Sequence, residues 1–460
     1  MRINNRYAIA LFIIIAAHIL ILAKLVFFPY PELFVYSYLT KAGLLPYKQI
    51  FDQHFPGIMF FPINLASLGI TTALTARYLH FAVVGTTQVL LFLVAKKVLK
   101  SPGKALLVNF LYLLWQPFFE GYVLWIDTFI PLFLLPSYYF LINWREHKIS
   151  NNVFWSGLFL GLALLFKQVV APLILLILVY VWFVKKSVRD ALIYVCGVGL
   201  PIVALLYYIF AIGVWEDFIY WTVTFNLTTF AQMGRKYPDV AGFVKGMTIF
   251  GPALIGIFLC YLKKELKEYL LSLTLFFIAS LSFVYARFDF IHLQPSIPFA
   301  LVSIVIFIFS RYNPKLKLLV FVFIAISAIY FLPGFYRTNR GNEIKFFGNF
   351  ENRLVNKVNG YVDVGDTIFA LGTTPHIYEL TKTLPPGRVF VFQFPWFMKA
   401  SESKILHGIK EDPPKLVILD SEASVSGINL VSYMPNINKY VAENYIEVDN
   451  VEQTKLLLKK

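Results

Sequence analysis

Apolar runs of membrane-spanning length recur along most of the chain, and short clusters of lysine and arginine separate them. A helix needs about 20 predominantly apolar residues to cross the hydrocarbon layer. About eleven runs approach or meet that requirement, near 7–29, 78–98, 104–118, 126–143, 152–166, 168–184, 190–213, 244–262, 268–285, 292–310 and 316–333. With 58% hydrophobic and only 15% charged residues, the chain has more apolar surface than one water-facing core absorbs. Lipid is its expected solvent. The expected fold is therefore an all-α polytopic membrane protein of about eleven transmembrane helices.

The formal charge of +15 raises the question of nucleic acid, but its distribution excludes that partner. The charge sits in clusters: Lys96, Lys97, Lys100 and Lys104; Arg145 and Lys148; Lys185, Lys186 and Arg189; Lys263, Lys264 and Lys267; Arg311, Lys315 and Lys317. This is the topogenic pattern of the positive-inside rule. Arg2 and Arg6 keep the N-terminus cytoplasmic, and with eleven spans every cluster falls on the cytoplasmic side. Merging 152–184 into one span would put the last three clusters outside. The first run lacks a small-residue cleavage site and reads as a retained helix. The chain is expected in a plasma membrane as a multi-pass protein, with loops 30–77 and 214–243 on the outer side.

The membrane part is expected to span 1–334. Over 335–460 polar residues return, and short β-rich runs at 367–371, 388–392 and 415–419 alternate with helical ones, including 401–409. That alternation predicts a small extracytoplasmic α/β domain. Cys196 and Cys260 each lie within an apolar run and exclude a disulfide framework. His54, His292 and His376 lack metal-ligand spacing, so no metal or other cofactor is assigned.

Chemistry concentrates in the first outer loop. Pro31 suits a helix start and Glu32 follows it, opening a short amphipathic helix that Gly43 can end. Such a helix would lie in the interface with Phe34, Tyr36 and Tyr38 at headgroup level. A carboxylate at that depth can take a proton from an acceptor hydroxyl or amine, or simply favour a helix N-terminus. Asp52 and His54 follow in a Pro- and Gly-punctuated turn. On the same side stand Lys167, between two apolar runs, Arg287 and His292 at the start of another, and Arg77 at the start of the second. Basic groups there neutralise a lipid phosphate or snorkel to the interface. Asp127 beside Trp125 is a third carboxylate at that level, suited to orienting the first loop or to capping a helix at the interface. The loop 215–242 reads as a lid or a connector.

The retained first helix, the acidic residue after it and the run Gly43-x-x-Pro46-Tyr47-x-x-x-x-Asp52-x-x-x-Pro56-Gly57 together resemble the GT-C glycosyltransferases. The nearest branch holds the protein O-mannosyltransferases, the lipid A aminoarabinose transferases and the core sugar transferases of the RgtA/B/C/D type. Gly161 to Gln168 and Arg287 to Pro298 are similar to family segments, and Arg77 stands where relatives have an arginine. The resemblance implies transfer of a sugar, with inversion, from a polyprenyl-phosphate donor to a lipid, glycan or protein acceptor outside the cytoplasm. It implies Glu32 or Asp52 as base, since relatives carry an Asp-Glu pair where this chain has Pro31-Glu32. Lys167, Arg287 and Arg77 would bind the donor phosphate, and Asp127, His54, Gln168 and His292 the substrates. A transporter or lipid flippase of similar size is the alternative, but no paired halves are visible. An inactive scaffold of the same fold is a third reading.

Overall fold

A computed structural model describes residues 5–147, 149–263, 267–425 and 427–460. Arg2, Lys148 and Lys264, used above for topology, lie outside them. Each expected apolar run carries a helix. Among the described residues, seven helices are long and apolar enough to cross a membrane: Asn5–Ala23, Ala73–Leu99, Ile126–His147, Gln168–Lys185, Val188–Ala211, Val240–Leu262 and Pro314–Thr338. Shorter helices, Pro102–Trp115, Ser150–Phe166, Lys267–Leu281 and Ile297–Ile308, take the remaining positions. Local chemistry sets several starts. The Ser101 and Asn313 side chains accept from the Lys104 and Lys315 amides ahead of Pro102 and Pro314, satisfying donors that a helix start leaves orphaned.

Two ends differ from expectation. The first helix stops at Ala23 rather than running to residue 29. Beyond it the Val26 and Phe27 amides donate to the carbonyls of Asn339 and Glu343, so the backbone leaves the helix to pair with a distant segment. The last long helix continues through Thr338, past the composition shift at 335. There Phe335 packs edge-on against Phe118, and the Tyr336 hydroxyl donates to the Leu114 carbonyl at 3.0 Å.

The chain divides into two compact units. The first comprises residues 1–28, 76–205 and 236–343; the second comprises 29–75, 206–235 and 344–460. Within the first unit, the basic clusters gather at one end. Lys97 pairs with Glu146, which also accepts from the Tyr269 hydroxyl. Lys100 lies over the Tyr269 ring, Lys104 over Phe309 and Lys263 over Tyr312. Arg145 donates to the Tyr180 hydroxyl, and Lys185 stands 3.5 Å from Asp190. Glycines let helices Ser150–Phe166 and Val188–Ala211 approach closely. A Cβ on Gly157 would sit 2.4 Å from the Tyr194 carbonyl oxygen, and one on Gly197 2.2 Å from that of Phe154.

The second unit has a four-stranded sheet of β1 (Ile368–Leu371), β2 (Leu416–Asp420), β3 (Tyr445–Val451) and β4 (Thr454–Lys459), ordered β1-β2-β4-β3. β1 and β2 are parallel, in register Ile368 with Leu416, and the crossover between them contains helix Pro395–Glu411. β4 runs antiparallel to both neighbours. The helix begins at Pro395 rather than 401, with proline in its first turn, where the missing N–H costs nothing. The expected strand at 388–392 shrinks to Phe390–Val391, which pairs not with this sheet but in parallel with Ile50–Phe51. That pairing, with Phe51 stacked on Trp221 and Phe225 on Phe397, ties all three segments of the unit into one core.

Candidate functional site

The break between helices Ser150–Phe166 and Gln168–Lys185 delivers the first group. Lys167 is extended, with φ −155° and ψ 118°, so its side chain leaves the helical register. Its ammonium donates to both oxygens of Asp127, at 2.7 and 2.8 Å. Asp127 is fully buried and Lys167 is 6% exposed. His292 Nδ1 stands 2.9 Å from Asp127 Oδ2 and 3.0 Å from the Lys167 ammonium. The ring therefore donates to the carboxylate in one tautomer and accepts from the lysine in the other. A buried ion pair is tolerated only when its remaining polar valences are filled, and here one carboxylate takes a cation and a ring. Asp127 reaches this position from the turn Ile126–Phe129, which Thr128 anchors by donating to the Val123 carbonyl.

A second cluster in the same unit joins two cations to one carboxylate. Arg287 Nε donates to Asp289 Oδ2 at 2.9 Å, and Lys236 donates to Asp289 Oδ1 at 2.7 Å. Two cations share one carboxylate, and all three side chains are partly exposed. Nearby, Glu120 adopts a left-handed conformation at φ 58° and accepts from the Ile291 amide at 2.9 Å. Burial first, and then the neighbouring Asp289, push its carboxyl up to about 6. A glutamine pair staples the same segments together: Gln116 donates to Gln294 Oε1, and Gln294 donates to the Gln116 and Phe119 carbonyls.

Arg77 is occupied elsewhere. Its guanidinium donates to the carbonyls of Leu22, Ala23 and Leu25, at 3.3, 3.0 and 2.8 Å. It thus adds a donor to carbonyls at and just beyond the end of the first helix. Gln168 opens the turn directly after Lys167.

In the second unit, helix Glu32–Lys41 starts after Pro31, as expected, with Glu32 in its first turn. Two of its three aromatics do not stand free for headgroup contact as expected. Phe34 and Tyr36 are buried, Phe34 against Phe347 and Tyr36 between Phe60 and Phe390. Segments distant in sequence cover the face that would otherwise meet lipid. Glu32 is buried too, and its Oε2 finds no hydrogen-bond partner among the described residues. Burial, with a smaller contribution from the Asp52 charge, raises its carboxyl well above the ordinary glutamate range. Asp52 is also buried, and its Oδ1 accepts from the His54 amide at 2.7 Å and stands 2.9 Å from His54 Nδ1. The Tyr47 hydroxyl donates to the His54 carbonyl, and Asn226 donates to that of Gln53. These bonds fix the turn carrying Asp52. Burial and the Asp52 charge also raise the phenols of Tyr36 and Tyr47.

The structure thus groups Asp127, Lys167 and His292 by direct contact, and places Glu32 close enough to Asp52 to feel its charge. Glu120, Asp289 and Lys236 were not singled out in the sequence as site residues. Glu120-Gly121 between two apolar runs was an available signal, and Asp289 lies within the Arg287 to Pro298 segment.

No protein-family model and no curated protein matches this sequence. Solved structures do match its fold. ArnT from Cupriavidus metallidurans bound to undecaprenyl phosphate aligns with a TM-score of 0.66 at 11% identity, covering 99% of this chain and 98% of that one. Its apo state gives 0.64. The Archaeoglobus fulgidus oligosaccharyltransferase tethered to an acceptor peptide aligns at 0.56 and 12% identity, covering 99% of this chain and 74% of that one. In complex with an inhibitory peptide and a dolichol-phosphate, the archaeal enzyme, AglB, aligns at 0.52. The chain has the fold of these proteins, the GT-C fold.

Proposed function

We propose that this GT-C-fold chain is an integral-membrane glycosyltransferase, moving a sugar from a polyprenyl-phosphate carrier to an acceptor outside the cytoplasm. The observation that carries the reading is a fold shared over 99% of the chain with ArnT bound to undecaprenyl phosphate. The polar groups buried in this protein suit that chemistry. An acceptor oxygen attacks the anomeric carbon as the carbon–oxygen bond to the carrier phosphate breaks, and the acceptor proton goes to a carboxylate. Attack opposite the leaving phosphate inverts the anomeric configuration.

Glu32 is the favoured base. One of its oxygens has no partner among the described residues and its basicity is raised, whereas one Asp52 oxygen is committed to His54. A raised carboxyl pKa brings a base closer to the operating pH, where proton transfer is most effective. Asp52 positions the loop and adds to Glu32's basicity. The Arg287–Asp289–Lys236 cluster, which brings two cations to a partly exposed place, suits the carrier phosphate. The Lys167 ammonium is already paired with Asp127, so that group, with His292 and Gln168 beside it, is assigned to holding the donor sugar.

Incubation of the purified full chain with a panel of radiolabelled polyprenyl-phosphate sugars and candidate acceptors tests the reading. The expected result is labelled product, free polyprenyl phosphate and an inverted anomeric centre by NMR. Retained configuration would contradict in-line transfer. Movement of intact carrier lipid across vesicles, with no donor cleaved across the panel, would favour the flippase.

A further inference from the structure

A cleft of about 350 Å³ opens within the second unit along helix Glu32–Lys41, from Phe34 to Ala42. One wall is apolar, formed by Phe34, Ala66 and Ile70, while Glu379, Lys382 and Lys41 supply its charge. Glu379 is 5% exposed. Its Oε1 accepts from Lys382 at 2.7 Å, but its Oε2 is buried without a hydrogen-bond partner among the described residues. A buried carboxylate oxygen without a donor is destabilising, so the cleft lacks a donor at that point. Tyr38 cannot supply it, because its hydroxyl donates to the Thr383 carbonyl and its ring lies under the Lys382 ammonium. Two ammonium groups against one carboxylate leave a single positive charge. Thr71, on the rim, is two residues before Ala73–Leu99, a helix able to cross a membrane, and Leu68 and Leu74 beside it are exposed.

We infer that this cleft binds the headgroup of an anionic, hydroxyl-bearing phospholipid. A headgroup hydroxyl donates to Glu379 Oε2, one phosphodiester charge is matched by Lys41 and Lys382, and the glycerol and first acyl carbons lie against Phe34, Ala66 and Ile70. The volume falls at the low end of small-molecule sites, which suits a headgroup rather than a whole lipid. Neither the proposed sugar transfer nor its residues are needed for this inference.

The full chain in detergent, titrated with dioleoyl phosphatidylglycerol or dioleoyl phosphatidylcholine and read by native mass spectrometry, tests it. Phosphatidylglycerol is expected to be retained at least tenfold more tightly, because phosphatidylcholine has no headgroup donor and no net charge. Glu379→Ala and Ala66→Trp should each abolish the preference, the second by filling the cleft from its half-buried rim with the carboxylate intact. Equal retention of the two lipids by the wild type would overturn the inference. So would an undiminished preference in folded Ala66→Trp, judged by its thermal unfolding. Displacement of phosphatidylglycerol by sub-millimolar glycerol 1-phosphate would assign the site to a free polyol phosphate and overturn the lipid.

Discussion

Asp127 makes its neighbours interdependent. Its buried carboxylate faces the Lys167 ammonium and the His292 ring, so removing it strands a cation without solvent. Asp127→Ala is expected to lower stability by about 3–5 kcal/mol, as broken buried pairs do. Replacing both partners, Asp127→Leu with Lys167→Met, should cost less than half as much, and thermal unfolding in detergent distinguishes the two. Glu120 gives a pH signature. Its carboxyl is raised to about 6 by burial, so the folded state holds the proton more tightly than the unfolded chain. The associated stabilisation is fully present below the ordinary glutamate range and is lost as pH rises through 6. It amounts to about 2 kcal/mol, since each tenfold gain in proton affinity is worth roughly 1.4 kcal/mol. Glu120→Gln keeps an acceptor for the Ile291 amide and should remove most of that slope from unfolding curves between pH 4.5 and 7. His376 acts with the opposite sign. Burial lowers it to about 4, so the stability it contributes is lost as pH falls through that value.

Close helix packing rests on particular glycines. Association between membrane helices depends on small residues that let backbones approach, and Gly157, Gly161 and Gly197 each face a carbonyl of the opposing helix. Gly197→Ala should cost more than about 2 kcal/mol, because the clash is with backbone, which cannot swing aside. Gly199→Ala, on the same helix with nothing within 4 Å of the added carbon, should be neutral or stabilising by up to about 1 kcal/mol through helix propensity. Unfolding of the pair under one set of conditions checks both. Hydropathy made the helices legible because each lipid-length run reports its own solvent. The β3–β4 hairpin was not legible. β3 carries Glu447 and Asp449, and its residues between Tyr445 and Val451 are largely exposed, so the run lacks the apolar signature of a buried strand. The burial of Phe34 and Tyr36 was equally invisible, since Phe347, Phe60 and Phe390 lie far from them or outside the helix.

For the whole molecule, the basic clusters share one end of the first unit, which fits a single cytoplasmic face. The sequence expectation of an extracytoplasmic sheet-bearing segment can be tested directly. Ser424→Cys, at an exposed position and in a background with Cys196 and Cys260 replaced by serine, should then react with a membrane-impermeant maleimide in intact cells. Labelling only after lysis would reverse the orientation. The sequence motifs marked Glu32, Asp52, Asp127, Lys167 and His292 individually. Which of them touch depends on the break at Lys167 and the turn at Ile126–Phe129, whose geometry leaves no local pattern.

The proposed chemistry stands or falls on Glu32 taking the acceptor's proton. Single-turnover transfer from a radiolabelled polyprenyl-phosphate sugar should fall by about 10²–10⁴-fold in Glu32→Gln, with donor binding unchanged, and by less in Asp52→Asn. Transfer at the wild-type rate in Glu32→Gln would contradict that role.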